Sequence, residues 1–95
     1  MRAPNFKGVQ MVREGDLVAI FHSIHRVMKV EKLLKSKGVE MLLIPVPRQL
    51  TSDCGLAIRF TPDEKPRVWE VLEPEGLLPA ELFQREGKEY RQVEI

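Results

Sequence analysis

"VEMLLIPVPRQLTSDCGLAIRF", Val39 to Phe60, holds two stretches of strand character with no helical pattern between them. Val39 to Pro47 is apolar along much of its length on both faces, as a strand buried on two sides would be. Leu56, Ile58 and Phe60 alternate with Ala57 and Arg59, the two-residue period of a strand. Eight residues, Pro47–Cys54, join the two. Parallel neighbours need a crossover of about a dozen residues or more, so these strands are predicted to run antiparallel.

The reading extends outward in both directions. Upstream, Asp16 to His22, "DLVAIFH", is a β-branched and aromatic run of strand length. Ser23 then stands as N-cap of a helix from Ile24 to about Lys37, with Ile24, Val27, Met28, Val30 and Leu34 on one stripe. Lys35, Lys37 and Gly38 form its C-terminal stop. Glu31 falls on the apolar stripe, where it is expected to reach the edge or pair with Lys35. Downstream, "TPDEKPRVWEVLEPEG" predicts a short second helix with Thr61 as N-cap, Pro62 at N1 and Glu64 at N3 of a capping box. Pro66 is expected to disturb its first turn, and Pro74 and Gly76 end it. "AELFQREGKEYRQVEI" alternates on either side of "EGK" and reads as a strand or as a hairpin. Residues 1–15 show no sustained period and are read as an N-terminal extension, with a short strand at Gly8–Val12.

The order is therefore β-α-β-β-α-β. That predicts the α+β class and a ferredoxin-like fold, an antiparallel sheet with two helices on one face and a C-terminal hairpin as the extra element. Ninety-five residues support one modest core. A single domain over 1–95 is expected, with the core in 16–86 and a C-terminal arm in 87–95.

Composition narrows the function. Lysine and arginine exceed aspartate and glutamate by one, too little for a global field that would draw in nucleic acid or an anionic membrane. The longest apolar run, Met41 to Val46, is far short of a membrane span, and no apolar h-region follows "MRAPNFKG". One cysteine cannot form an internal disulfide, and a cytoplasmic location is expected. One cysteine and two histidines without CxxC or HxxxH spacing give no closed zinc site, and neither a metal nor a cofactor is expected.

The predicted topology gathers chemistry at one edge. Strands one and two finish there and strand three begins there. His22, Ser23, His25, Pro47, Arg48, Ser52, Cys54 and Gly55 therefore converge from three parts of the chain. A thiolate, not a thiol, attacks electrophiles, and a free cysteine with a pKa of ~8.5 is mostly protonated near neutrality. A helix N-terminus, Arg48 and a protonated His25 would favour the anion, or His25 or His22 could take the proton. Gly55 would allow φ > 0 or a close approach of backbone to a bound group. Each piece also has a plain reading. Cys54 could be a packed small hydrophobe, Ser52 and Asp53 turn formers, and Arg48 a partner of Pro47 or of loop carbonyls.

These residues carry a resemblance. "FHSIHRVMKVEKLLKSKGVEMLLIPVPRQLTSDCGLAIRF" resembles the selenium/sulfur carrier protein-like family of small bacterial and archaeal domains. The family pattern has a phenylalanine strand end, Ser-Thr-His opening the helix, Ala-Glu-Lys-Leu-Leu, Pro-x-Pro-Arg and Ser-Ser-x-Cys-Gly. It falls here on Phe21, Ser23, His25, Glu31–Leu34, Pro45–Arg48 and Ser52–Cys54–Gly55, within about residues 16 to 76. Ile24 stands where threonine is common, and Thr51 takes the first serine position. The resemblance implies that Cys54 holds selenium or sulfur as a perselenide or persulfide and passes it between donor and acceptor proteins. His25 would then be the proton partner and Arg48 the anion stabiliser, with Ser23, Ser52, Gly55 and His22 lining the site. Such a protein is a carrier more than a turnover enzyme.

Two other functions fit the residues: a ferredoxin-like module that binds a small anion or metabolite, or regulates, with the thiol incidental; and a structural assembly subunit. The pH dependence of Cys54 alkylation separates them from the carrier. Strand two is apolar on both faces and strand one sets Val18 and Ile20 opposite Leu17, Ala19 and Phe21. The face away from the helices is therefore expected to be covered, by the terminal segments or by a second copy in a homodimer.

Overall fold

The structure, a computed structural model, describes residues 11–95. Five strands and two helices follow one another as β1 (Leu17–Ile20), α1 (Ile24–Ser36), β2 (Leu42–Pro45), β3 (Leu56–Phe60), α2 (Lys65–Leu72), β4 (Glu81–Glu86) and β5 (Glu89–Val93). The sheet order is β2-β3-β1-β4-β5, and every neighbouring pair is antiparallel. This is the expected α+β, ferredoxin-like arrangement, extended at one edge by the hairpin arm β5. Glu86 pairs with Glu89 across the two-residue turn Gly87–Lys88, where Gly87 has φ +64°. Glycine accepts that conformation without strain, so "EGK" makes a hairpin.

Helix α1 follows its sequence signals closely. The Ser23 hydroxyl accepts the Arg26 N–H at 3.2 Å. At the other end Gly38, φ +71°, donates to Lys35 O and Val39 to Leu34 O, the paired bonds of a Schellman stop. Glu31 pairs with Lys35 at 3.8 Å. The apolar stripe is narrower than predicted. Val27, Val30 and Leu34 are buried, but Ile24 and Met28 are 44% and 42% exposed. They lie on the flank of the helix that turns away from the sheet, so only part of the stripe reaches the core.

Helix α2 departs from the capping-box expectation. The Thr61 side chain makes no cap hydrogen bond. Pro62–Glu64 forms a 3-10 turn, and the α-helix begins at Lys65 with Pro66 in its first turn. Proline has no N–H to give the carbonyl four residues back, so Pro66 fits only where a helix starts afresh. Strand β2 is also shorter than the stretch read from Val39 to Pro47. Met41 precedes the ladder and Val46 follows it, although both pack on the sheet.

Two cores flank the sheet. On the helix side Leu17, Ala19, Phe21, Ile58, Phe60 and Leu82 meet Val27, Val30, Leu34, Val68 and Leu72. Phe60 and Trp69 meet edge to face at 6.1 Å. On the far side Val18, Ile20, Ile44 and Ala57 are buried with Val12, and Met11, Val46, Leu50, Phe83 and Tyr90 pack against them. The centre of the second face is thus covered within one chain.

Two segments provide that cover. Residues 12–15, read as part of an extension, and Asp16 after them are strapped to β4. Arg85 donates to Val12 O, Gly15 donates to Arg85 O, and Arg85 N–H donates to Asp16 O. The β2–β3 loop crosses the same face with Leu50 packed down, and Gln49 donates to Lys88 O at 3.1 Å. The strand expected at Gly8–Val12 lies mostly outside the described residues; Met11 and Val12 are not in a strand.

Candidate functional site

The β2–β3 loop is two turns in series. Leu50 N–H donates to Pro47 O, closing a turn with Arg48 and Gln49 at its tip. Gly55 N–H donates to Ser52 O at 3.3 Å, closing a second turn that carries Asp53 and Cys54. Val46 N–H donates to Gly55 O at 2.9 Å and ties the neck of the loop. Gly55 has φ +75°, the left-handed conformation that returns the chain to β3.

Cys54 is half-buried, its sulfur against the helix-side core. The thiol lies 3.5 Å from the carbonyl oxygen of Leu56, to which it can donate a hydrogen bond. The Ser52 hydroxyl is 3.5 Å from the sulfur on the other side and also accepts the Cys54 N–H at 3.4 Å. A rotating hydroxyl can accept from a thiol or donate to a thiolate, so the sulfur has a partner in either state.

His22 joins this loop to the sheet. It is the single non-glycine with positive φ among the described residues, at +61°. Its Nδ1 accepts the Asp53 N–H at 3.3 Å, and its Nε2 lies 2.8 Å from Glu81 Oε1. The Asp53 carboxylate is 3.9 Å from Nδ1. Glu81 opens β4 and pairs with Ile20 in register, which brings it beside the end of β1.

The structure thus brings His22, Ser52, Cys54 and Gly55 to one place, with Ser23 beside His22 capping α1. His25, in the first turn of α1, and Arg48, in the first of the two loop turns, are both exposed. Neither hydrogen-bonds to Cys54 among the described residues. Glu81 was missed from sequence, although the topology offered the signal. A strand four antiparallel to strand one must begin where strand one ends, by the same logic that places strand three. Two surface hollows, one between α1 and α2 and one around Arg13, Asp16 and Arg59, contain no residue of the cysteine loop.

A ferredoxin-like α+β domain that presents a single half-exposed thiol in a turn at its sheet edge is the class these features define. The family model described as "Putative Se/S carrier protein-like" matches residues 16–84, from the residue before β1 into β4. The chain belongs to that family. A curated relative from Aquifex aeolicus (strain VF5), described as "Putative sulfur carrier protein", is 29% identical over 75 residues. The match covers 77% of this chain and 38% of the relative, so the chain spans well under half of that protein's length. No solved structure matches the chain. No helix among the described residues is long and apolar enough to cross a membrane.

Proposed function

We propose that Cys54 carries zero-valent sulfur or selenium between partner proteins. The observation that carries this reading is membership of the carrier-like family over a segment that includes the chain's one cysteine, half-exposed in a turn. In loading, the Cys54 thiolate attacks the outer chalcogen atom of a donor persulfide or perselenide. A bond forms from Cys54 Sγ to that atom, the donor's own bond to it breaks, and the donor leaves as its thiolate. In discharge, an acceptor thiolate attacks the same outer atom and Cys54 leaves as thiolate. The two steps balance without an external oxidant or reductant.

The surroundings support such a cycle. Ser52 can donate to the anion, and in this proposal the first turn of α1, which has no acidic side chain, adds its free N–H groups. In this proposal Arg48 supplies positive charge to the loaded or free anion and His25 relays the proton. Both are exposed side chains with no hydrogen bond to Cys54 among the described residues, so each role depends on a partner that brings them to the sulfur.

The test is loading of the full chain with a persulfide donor, followed by mass analysis of the peptide containing Cys54. A gain of one sulfur atom there, reversed by dithiothreitol and absent in Cys54→Ser, is the expected result. A gain elsewhere, or none while the thiol is intact, overturns the proposal.

A further inference from the structure

The geometry points to His22 as a protonation-dependent latch that sets the position of the Cys54 turn. Its consequence for reactivity rests on the carrier reading; the latch itself does not. A left-handed conformation is unfavourable for a residue with a Cβ, and it persists only where the surroundings hold it. At His22 the ring supplies the hold, because its two nitrogens reach two different elements. Nε2 meets Glu81 at the start of β4, and Nδ1 meets the backbone of Asp53, the residue before Cys54.

The partners fix the tautomer. A backbone N–H can only donate, so Nδ1 must present its lone pair to Asp53. The ring proton then sits on Nε2 and is donated to the Glu81 carboxylate. In this neutral form the cysteine turn is bolted to the sheet edge through one imidazole. A second proton on Nδ1 turns that acceptor into a donor, and the Asp53 N–H loses its partner. The Asp53 carboxylate, already 3.9 Å from Nδ1, is the acceptor the new N–H can take. Protonation therefore exchanges backbone for side chain at Asp53 and frees the Ser52–Asp53 peptide, one residue ahead of Cys54.

The charged groups facing the ring are Glu81 from β4 and Asp53 from the loop. Neither pairs with a lysine or arginine among the described residues. The movement is local, because Val46–Gly55 and the Leu50 packing hold the rest of the loop.

The experiment is a pH titration of the full chain by NMR, following the His22 ring nitrogens and the amides of Asp53, Cys54 and Gly55. The three amides are expected to shift with the same midpoint as the ring. The Asp53 amide should also exchange faster with solvent on the acid side. His22→Asn, which keeps a residue at ease with positive φ, should abolish the coupled shift. Glu81→Ala should loosen the tautomer, so that the ring nitrogens lose the pattern of a fixed Nε2–H. The latch is overturned if His22 titrates while the Asp53 amide stays still, or if His22→Asn retains the transition. Alkylation of Cys54 over the same range separates the two ideas. A second inflection at the His22 midpoint, lost in His22→Asn, supports the latch acting on the thiol. Amides that follow His22 in a protein whose Cys54 is inert throughout would uphold the latch and overturn the carrier.

Discussion

Gly55 follows the reactive candidate directly and holds φ +75°, with no atom beyond its chain neighbours within 4 Å of where a Cβ would stand. The penalty of Gly55→Ala is therefore conformational, not steric. A loss of about 1 kcal/mol is expected in urea denaturation, together with altered Cys54 alkylation, because the turn must relax. A neutral substitution would show that the left-handed bend is not required. Arg48 and His25 are exposed, so alanine at either should leave stability within about 0.5 kcal/mol. Persulfide loading should nevertheless slow severalfold in Arg48→Ala, and its pH profile should change in His25→Ala. Unchanged loading in both would remove them from the site. At this scale the sequence was informative about residue type and less so about partners. Cys54, Ser52 and Gly55 stood out through the "SDCG" turn. The bond from Asp53 to His22 could not be read, because it depends on a ring orientation and a positive φ that no spacing announces.

The elements were legible where local chemistry and tertiary packing agree. Helix α1 has its cap, its stripe and its Gly38 stop in the letters. Ser23→Ala removes the acceptor of the Arg26 N–H and should cost about 1 kcal/mol. For a domain of this size that lowers the melting temperature by about 4–8 °C, measurable by circular dichroism. No change would mean that water replaces the cap at no cost. The signals at α2 conflicted. Thr61, Pro62 and Glu64 asked for a capped helix while Pro66 forbade its fourth-residue bond, and the chain resolved this with a 3-10 turn. The β2–β3 loop carries the candidate cysteine in its second half. Its first half has a plainer duty as well, since Leu50 covers the sheet and Gln49 reaches the hairpin turn. Only the second half, Thr51 to Cys54, returns to the rim.

For the whole molecule, connection length decided topology: a join of only ten residues, 46–55, made β2 and β3 antiparallel, and the start of β3 lies beside the end of β1. The cover of the second face was less legible, because it comes from irregular segments tied down by Arg85 and Leu50. Tyr90, the chain's only tyrosine, reports on that cover. Burial raises its phenol above the ordinary value of 10.0, against the pull of Arg85 and with a further rise from Asp16. A folded-state value above the unfolded one contributes stability that is whole below the unfolded pKa and is lost as pH rises through the folded one. Phenolate absorption should therefore appear above its usual range, and stability should fall through that alkaline window. A midpoint unchanged on dilution would assign the cover to the chain itself; one that falls would assign part of it to a second copy. The central claim, that the domain carries a chalcogen on Cys54, is tested most directly by a pulse and chase. The full chain is loaded with radiolabelled sulfane sulfur from a persulfide donor, freed of donor, and mixed with an acceptor thiol. The label is expected to move to the acceptor, with free Cys54 thiol returning in equal amount. Label that stays on the chain, or that binds equally to Cys54→Ser, would contradict it.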